Sequence, residues 1–511
     1  MADEDLFPNS ERIKKIVDDP RFQEKSSGAP PISSKEEGIK WVDSVSAITS
    51  IAGKHMIIDE RLEDEMQLRT EKDFVSSWRH IKIWDTATEK SMPLSQLWLD
   101  WSQRRTYERG IIFDPKWSFD SKIQRSGAYN KWKDFAVQPI QGECPLTKEF
   151  IHNIICSANE QHCHYTTGWI SQIFQEPWNK LGTALVLRGL KGIGKSFLAK
   201  VLGWLMNGKP GQERKQKIFL TIDNKNSIFG SHNDHLENII MLCLEEAIWA
   251  GDKAHESTLK HVLTGSTLFV NPKNLPGREV TNYIRAIIIG NADWIVPATH
   301  DERRFFVLNV NNEYKDNRAY FDALEDELLN HGGLEALMYY FKHYDYSDIN
   351  LRTALVTEAQ IEQKTESMTG VEKWWFDLLC SGKLPFVKHD DKGYHVIKEK
   401  LYMDFCRAQA RMGGRNTYNE RSFGMRFKEL VPLLEGGKIQ YHKNGKVVSM
   451  VGDDKYTSSN ERLNVYVIPK LDTCRMVMDV RIKMQYNYGS EDEWSLPTYS
   501  ESNIMSSHNL F

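Results

Sequence analysis

The chain has 511 residues, 40% hydrophobic and 27% charged, which is apolar material for more than one core and about two to four domains. A formal charge of -4 excludes a uniformly basic protein, so any contact with nucleic acid has to use local basic surface, such as the lining of a channel. Seven cysteines without regular short spacing point to free thiols in a reducing compartment, and neither an apolar targeting core nor an apolar run of membrane-spanning length is present, so a cytoplasmic location with no membrane partner is expected.

Residues 1–35 are charged and close on the turn-rich stretch from Ser26 to Ser34, which predicts a loose arm. Residues 36–180 are expected to be a mainly helical N-terminal region, with helical stretches near Glu71–Ile81 and Thr147–Ser157. It holds Trp98, Trp101, Trp117 and Trp132; a packed core accounts for these rings more readily than a surface on which bases stack.

Over residues 181–345 apolar strands alternate with helices, the pattern of an α/β domain with a largely parallel sheet covered on both faces. The expected strands are Ala184–Arg188, Lys217–Ile222, Asn238–Leu244, Tyr283–Gly290 and Arg304–Val310. Directly after the first comes Gly189-Leu190-Lys191-Gly192-Ile193-Gly194-Lys195-Ser196, followed by a helix-forming run. A phosphate-cradling loop needs that order. Glycines let several backbone N–H groups face one triphosphate, and the helix start adds its positive end. These eight residues are expected to bind ATP, with Lys195 between the β- and γ-phosphates and the Ser196 hydroxyl on Mg²⁺.

The third strand runs into Glu245-Glu246, placing two carboxylates at the carboxyl edge of the sheet, where open α/β folds bind ligands. Glu245 is expected to hold Mg²⁺ through water and Glu246 to orient and deprotonate the attacking water. Thr267 to Val280 resembles a hairpin with its turn at Pro272–Gly277. A base near its tip would reach a nucleic-acid phosphate if the hairpin points into a pore; the alternative is a solvated basic turn. The next strand ends in Asn291, an amide able to contact the γ-phosphate or the lytic water without adding charge. In Asp301-Glu302-Arg303-Arg304, one arginine can serve a neighbouring subunit's phosphate and the other an internal salt bridge; the order of residues leaves open which does which.

Residues 371–470 show helices at Val371–Leu379, Val396–Ala410 and Arg421–Leu430 and short strands at Lys446–Val451 and Leu463–Ile468, the pattern of a winged helix. Arg421, Arg426, Lys428, Lys438, Lys443 and Lys446 would there clamp duplex DNA or form a solvated face. Residues 471–511 carry no clear signal. Cys144, Cys156, His162, Cys163 and His164 lack the close pairing of a zinc knuckle, and structural zinc is not expected.

Taken in order, GLKGIGKS, NIIMLCLEEA, LFVNPKNLPGREVTNYIRAIIIGNAD and VPATHDERRFF resemble the motif series of superfamily 3 helicases of DNA viruses, phages and mobile elements, especially the phage primase-helicase type related to the poxvirus primase-helicase. IIFDPKWSFD and AYNKWKDFAVQPIQG upstream, and the segment from Glu366 to Trp375 downstream, extend the resemblance to roughly residues 80–430. It implies an AAA+-like P-loop ATPase that assembles as a homo-oligomeric ring, a hexamer. The ring would hydrolyse ATP with Mg²⁺ between subunits, move on single-stranded DNA and open forked DNA.

By that comparison Lys195, Ser196, Glu245, Glu246 and Asn291 fall on phosphate, magnesium, catalytic and sensor positions. Arg303 or Arg304 falls on the intersubunit arginine and Lys273 on the pore-loop base, with Arg278 on the same hairpin as a second DNA-binding residue. Many related phage proteins carry a primase-polymerase domain before the motor. Only about 80 residues precede the first matching segment here, so priming is expected from a separate primase or polymerase. The alternative expectation is an origin-binding initiator or assembly ATPase without processive unwinding.

Overall fold

The structure, a computed structural model, describes residues 34–51, 53–62, 65–85, 90–116, 127–214, 216–224, 230, 232–245, 256–272, 277–292, 294–297, 302–411, 418–442, 447–450, 460–483 and 485–497. By packing, the chain forms two compact units, residues 1–135 with 213–216, and residues 136–212 with 217–511.

The first unit opens on α1 (Lys35–Val45), whose N-terminus is capped by the Ser34 hydroxyl accepting from the Glu37 N–H at 3.2 Å. Then come β1 (Ser46–Ile51), β2 (Lys54–Leu62), β3 (Glu65–Arg69), α2 (Glu71–Ser77), β4 (Lys82–Asp85), β5 (Lys90–Pro93), α3 (Leu94–Leu99) and the two-residue strands β6 (Thr106–Tyr107), β7 (Ile111–Ile112) and β8 (Tyr129–Asn130). Strands β3-β2-β1-β6 make a four-stranded sheet, which corrects the expectation of a mainly helical region. Ile57, Ile58 and Asp59 of β2 are all buried; with side chains covered on both faces, the alternation that marks a strand in sequence is absent. The tryptophans serve the core. Trp78 and Trp98 are fully buried with Phe74 and Leu94, and the Trp98 indole donates to Asp43 at 2.9 Å. Trp132 is buried as well, while Trp117 lies outside the described residues.

The second unit begins with α4 (Pro145–Glu149), a π-helical turn (Phe150–Ile155) and α5 (Glu160–Gln175). There follow β9 (Ala184–Arg188), α6 (Lys195–Asn207), β10 (Phe219–Ile222), β11 (Met241–Glu245), α7 (Glu256–Thr264), β12 (Thr267–Val270), β13 (Arg278–Thr281), β14 (Arg285–Gly290), β15 (Phe305–Asn309), α8 (Arg318–Asn330) and α9 (Gly333–His343). The sheet order is β10-β11-β14-β9-β15 and every pairing is parallel. Each expected strand is present, trimmed mainly at its amino end. All of β14 is buried, because one face of the sheet packs on α7 and the β12–β13 hairpin and the other is covered too. The hairpin pairs Thr267 with Thr281 through Val270 with Arg278, as its turn chemistry predicts.

The same unit continues with α10 (Glu358–Ser367), α11 (Gly370–Ser381), β16 (Lys388–Asp390), β17 (Gly393–Ile397), α12 (Lys398–Arg411), α13 (Glu420–Leu430), β18 (Glu435–His442), β19 (Val447–Met450), β20 (Asn460–Ile468) and α14 (Leu471–Ile482). The strands form an antiparallel sheet in the order β16-β17-β20-β18-β19, larger than the two-stranded hairpin expected. Val396 and Ile397, expected to start a helix, instead pair with Tyr466 and Val465. Trp374, Trp375, Phe405, Phe423 and Phe427 form the core between helices and sheet. Among the described residues no helix is long and apolar enough to cross a membrane.

Candidate functional site

β9, β11 and β14 are adjacent or next but one in a parallel sheet, so their carboxyl ends meet at one edge. The loop Gly189–Gly194 leaves β9 there and passes into α6 at Lys195. Two of its glycines are demanded by the fold. Gly192 has φ +80° and a Cβ would lie 2.1 Å from the Asp316 carboxylate; Gly194 has φ +99° and a Cβ would meet the Phe150 and Phe321 rings at 2.9 and 3.0 Å. At Gly192 the left-handed backbone is the obstacle, since the exposed Asp316 carboxylate can rotate away, whereas at Gly194 the two rings also leave no room.

Lys191 to Phe197, Glu245, Ile289 to Asn291 and Phe321 line one cavity of about 400 Å³. The Lys195 ammonium spans it, donating to the carbonyls of Gly189 (2.6 Å) and Leu190 and to the Asn291 amide oxygen (2.8 Å). Burial lowers the Lys195 pKa, because a half-desolvated ammonium has lost water. Ser196 is exposed at the first turn of α6, and Glu245 closes β11 on the same cavity. A hydroxyl and a carboxylate that line the same cavity as an ammonium are hard oxygen donors suited to Mg²⁺, with the helix start and lysine suited to phosphate oxygens. These residues fit a magnesium-bound nucleoside triphosphate.

Other expected site residues lie elsewhere. Glu246 and Lys273 fall outside the described residues, as do Asp301, Lys443 and Lys446. Arg278, at the turn end of β13, is engaged with Glu237 at 2.5 Å. Arg303 and Arg304 precede β15, at the amino edge of the sheet, where the Arg304 carbonyl accepts from Ala184 at the start of β9. β9 and β15 have five residues each, which puts about 17 Å between the two edges at about 3.3 Å per residue. Neither arginine therefore reaches the cavity of its own chain.

The two arginines differ. Glu302 is fully buried and accepts from the backbone N–H of Arg303 and Arg304 and from the Arg304 guanidinium at 3.0 Å. Arg304 is thus tied inside its own subunit, whereas Arg303 is exposed and its guanidinium makes no ion pair among the described residues. On the C-terminal sheet's helices, Arg421, Lys428 and, on β18, Lys438 are exposed, while Arg426 is held by Glu372 and Glu429. Of the side chains considered for zinc, the Cys156 thiol donates to the Thr166 hydroxyl and lies beside the Cys163 thiol, and the His164 ring contacts Tyr344 and Asp348.

Phe321 and Asp316 were not foreseen. Both come from the chain after β15, more than a hundred residues beyond the loop, and carry no motif; only the structure brings them to the loop's tip.

In fold, the chain is similar to the C-terminal region of NrS-1. One apo structure of that region matches with TM-score 0.53 and 14% identity, covering 86% of this chain and 100% of the other; an A-form apo structure matches with TM-score 0.52 and 15% identity, covering 84% and 98%. The two share a mixed α/β fold with a central parallel sheet flanked by helices. In sequence, the DNA Primase-polymerase of Nitratiruptor phage NrS-1 is 25% identical over 251 residues, 47% of this chain and 33% of that protein, so the chain spans about a third of this relative's length. A family of unknown function (DUF5906) matches residues 187–304, the stretch from the end of β9 to Arg304.

Proposed function

We propose that the chain is the ATP-hydrolysing motor of a ring-forming DNA helicase of the superfamily 3 type, serving replication of a phage, virus or mobile element. The observation that carries this reading is the convergence of Lys195, Ser196, Glu245 and Asn291, from three parallel strand ends and 97 residues of sequence counted from 195 to 291, on one cavity of about 400 Å³. The sequence likeness to a phage DNA Primase-polymerase supports the replication setting.

In this mechanism the ammonium of Lys195 and the loop N–H groups hold the phosphates, Ser196 and Glu245 hold Mg²⁺, and Asn291 orients the terminal phosphate or the water beside it. Bound Mg²⁺ supplies charge neutralisation of the transferring phosphoryl group. Glu246 abstracts the proton of the attacking water. Arg303, exposed at the opposite edge, stabilises the phosphoryl charge in a neighbouring subunit, which makes turnover depend on the hexameric ring. The β12–β13 hairpin, with Lys273 in its turn segment and Arg278 at the turn end of β13, contacts the backbone of single-stranded DNA.

A second reading has its own support. Helices α11, α12 and α13 with strands β17, β20 and β18 have the make-up of a winged helix, and Arg421, Lys428 and Lys438 are exposed on it. A duplex-binding domain of that kind suits an origin-binding initiator that loads without unwinding. Strand displacement on forked DNA separates the two. ATP-dependent displacement by the wild type, abolished in Lys195→Ala, is the expected result; ATP-dependent loading with no displacement supports the initiator, and no nucleotide dependence overturns both.

A further inference from the structure

The cavity has a direction. In the sheet order β11-β14-β9-β15, Glu245 and Asn291 lie on the β14 side of the glycine loop, and the chain after β15 lies on the other. That chain stays with the loop: the Val310 N–H donates to the Arg188 carbonyl at 2.9 Å, the Asp316 N–H to the Gly192 carbonyl at 3.0 Å, and the Phe321 ring borders Gly194. A triphosphate whose terminal group faces Glu245 and Asn291 must send its sugar and base toward the β15 side.

Phe321 stands on that side and is half-buried. Behind it are Phe197 (centroids 5.5 Å apart) and the fully buried Phe150 (6.3 Å). On its flank is Tyr320 (5.4 Å), itself stacked on Tyr314 at 3.9 Å with the rings 4° from parallel. The ring is therefore fixed from behind and lines the cavity in front. An aromatic ring held in that way beside a phosphate-binding loop suits a planar base.

We propose that Phe321 stacks on the nucleobase, and so makes the site selective for nucleotides over bare phosphate chains. This rests on the nucleotide reading above and adds the position of the base. Because every base presents a π-face, the platform tolerates different bases while requiring one.

The test is calorimetric titration of the full chain with Mg²⁺ and three probes: a non-hydrolysable ATP analogue, the corresponding CTP analogue, and inorganic tripolyphosphate. The wild type should bind both nucleotides at least about fivefold more tightly than tripolyphosphate, the lower bound for one stacked base. Phe321→Leu keeps an apolar side chain against Phe150 and Phe197 but lacks the π-face. It should lose most of that preference while binding tripolyphosphate as the wild type does, and Phe321→Tyr should restore the preference. The proposal is overturned if Phe321→Leu binds nucleotides as the wild type does, or if all three probes weaken together, which would make the ring only a wall of the loop. Lys195→Ala must weaken all three; if it and the wild type alike bind none, the nucleotide reading fails and this inference with it.

Discussion

Two of the sheets use charged residues in opposite ways. In the parallel sheet of the second unit, the polar residues that line the cavity stand where strands finish: Glu245 closes β11 and Asn291 follows β14. In the first unit, Asp59 and Glu60 stand within β2. Asp59 is enclosed by Arg61 at 2.6 Å and Arg69 at 2.7 Å; Glu60 takes Arg105 at 2.6 Å and the Tyr129 hydroxyl at 2.6 Å. A polar group within a strand has to be paired by the fold itself, because buried charge without a partner is costly. At a strand's carboxyl end, the same group can turn its chemistry outward to a ligand. Charge at strand ends should therefore govern activity and charge within strands should govern stability.

The largest expected effect is at Arg303. Arg303→Ala should lower the turnover of the assembled ring by about a thousandfold, the lower range for an arginine acting in trans, and leave thermal stability unchanged, since its guanidinium is exposed. Steady-state ATPase assays with a melting curve measure both. Full activity in the variant would remove the catalytic role assigned to it. Next is Lys195→Ala, which should weaken ATP binding by about ten- to a hundredfold, the range for one hydrogen bond to a charged group. Folding should be retained, because the carbonyls of Gly189 and Leu190 that lose a donor lie on a half-exposed to exposed turn. A parallel loss of stability would mean that Lys195 is a structural strut.

That contrast also explains what could be read without coordinates. Strands β9, β11, β14 and β15 were legible because sheets covered on both faces demand continuous apolar runs, and Lys195, Ser196, Glu245 and Asn291 were legible because each belongs to a segment that follows such a run, as Phe321 does not. The pairing of Glu302 with Arg304 was foreseeable as one of two options, and only the burial of Glu302 decides it. In the first unit the helix expected near Glu71 is present as α2, but the sheet was illegible for the same reason inverted: Ile58, Asp59 and Glu60 mix core and charge in one strand, and the partners that make this tolerable, Arg105 and Tyr129, lie 45 and 69 residues from Glu60. Helix α14 was missed because its buried Cys474, Met478 and Ile482 are interleaved with exposed Met476 and Val480, which blurs its helical face.

Intermediate effects fall on the paired charges. Asp59→Asn removes a carboxylate that satisfies two arginines and should cost about 2 kcal/mol of stability, the range for hydrogen bonds to charged groups, with ATP affinity unchanged. Arg304→Ala should cost about 1 kcal/mol, less than a full buried pair, because Glu302 keeps its two backbone donors and Lys260 stands 3.7 Å away. Urea denaturation monitored by tryptophan fluorescence checks both. If Arg304→Ala instead abolished turnover with no loss of stability, the assignment of the two arginines would be reversed.

The smallest effect is the pH dependence of the Asp59 contribution. Burial pushes the Asp59 carboxyl up, but the hydrogen bond and charge of Arg61, then the charge of Arg69, outweigh it and leave the pKa below the usual aspartate value of 3.8. In the unfolded chain the group titrates near its ordinary value, about 3.9. Above that pH both states are ionised and the stabilisation is complete; as pH falls through the lowered folded value, the unfolded state has already taken up its proton and the folded state is forced to follow. The stability difference between wild type and Asp59→Asn should therefore be constant from about pH 5 to 7 and shrink below about pH 4. A difference that instead grew on acidification would mean that the carboxyl is held protonated, and the rule that charge within a strand is ionised and paired would fail at the residue chosen to represent it.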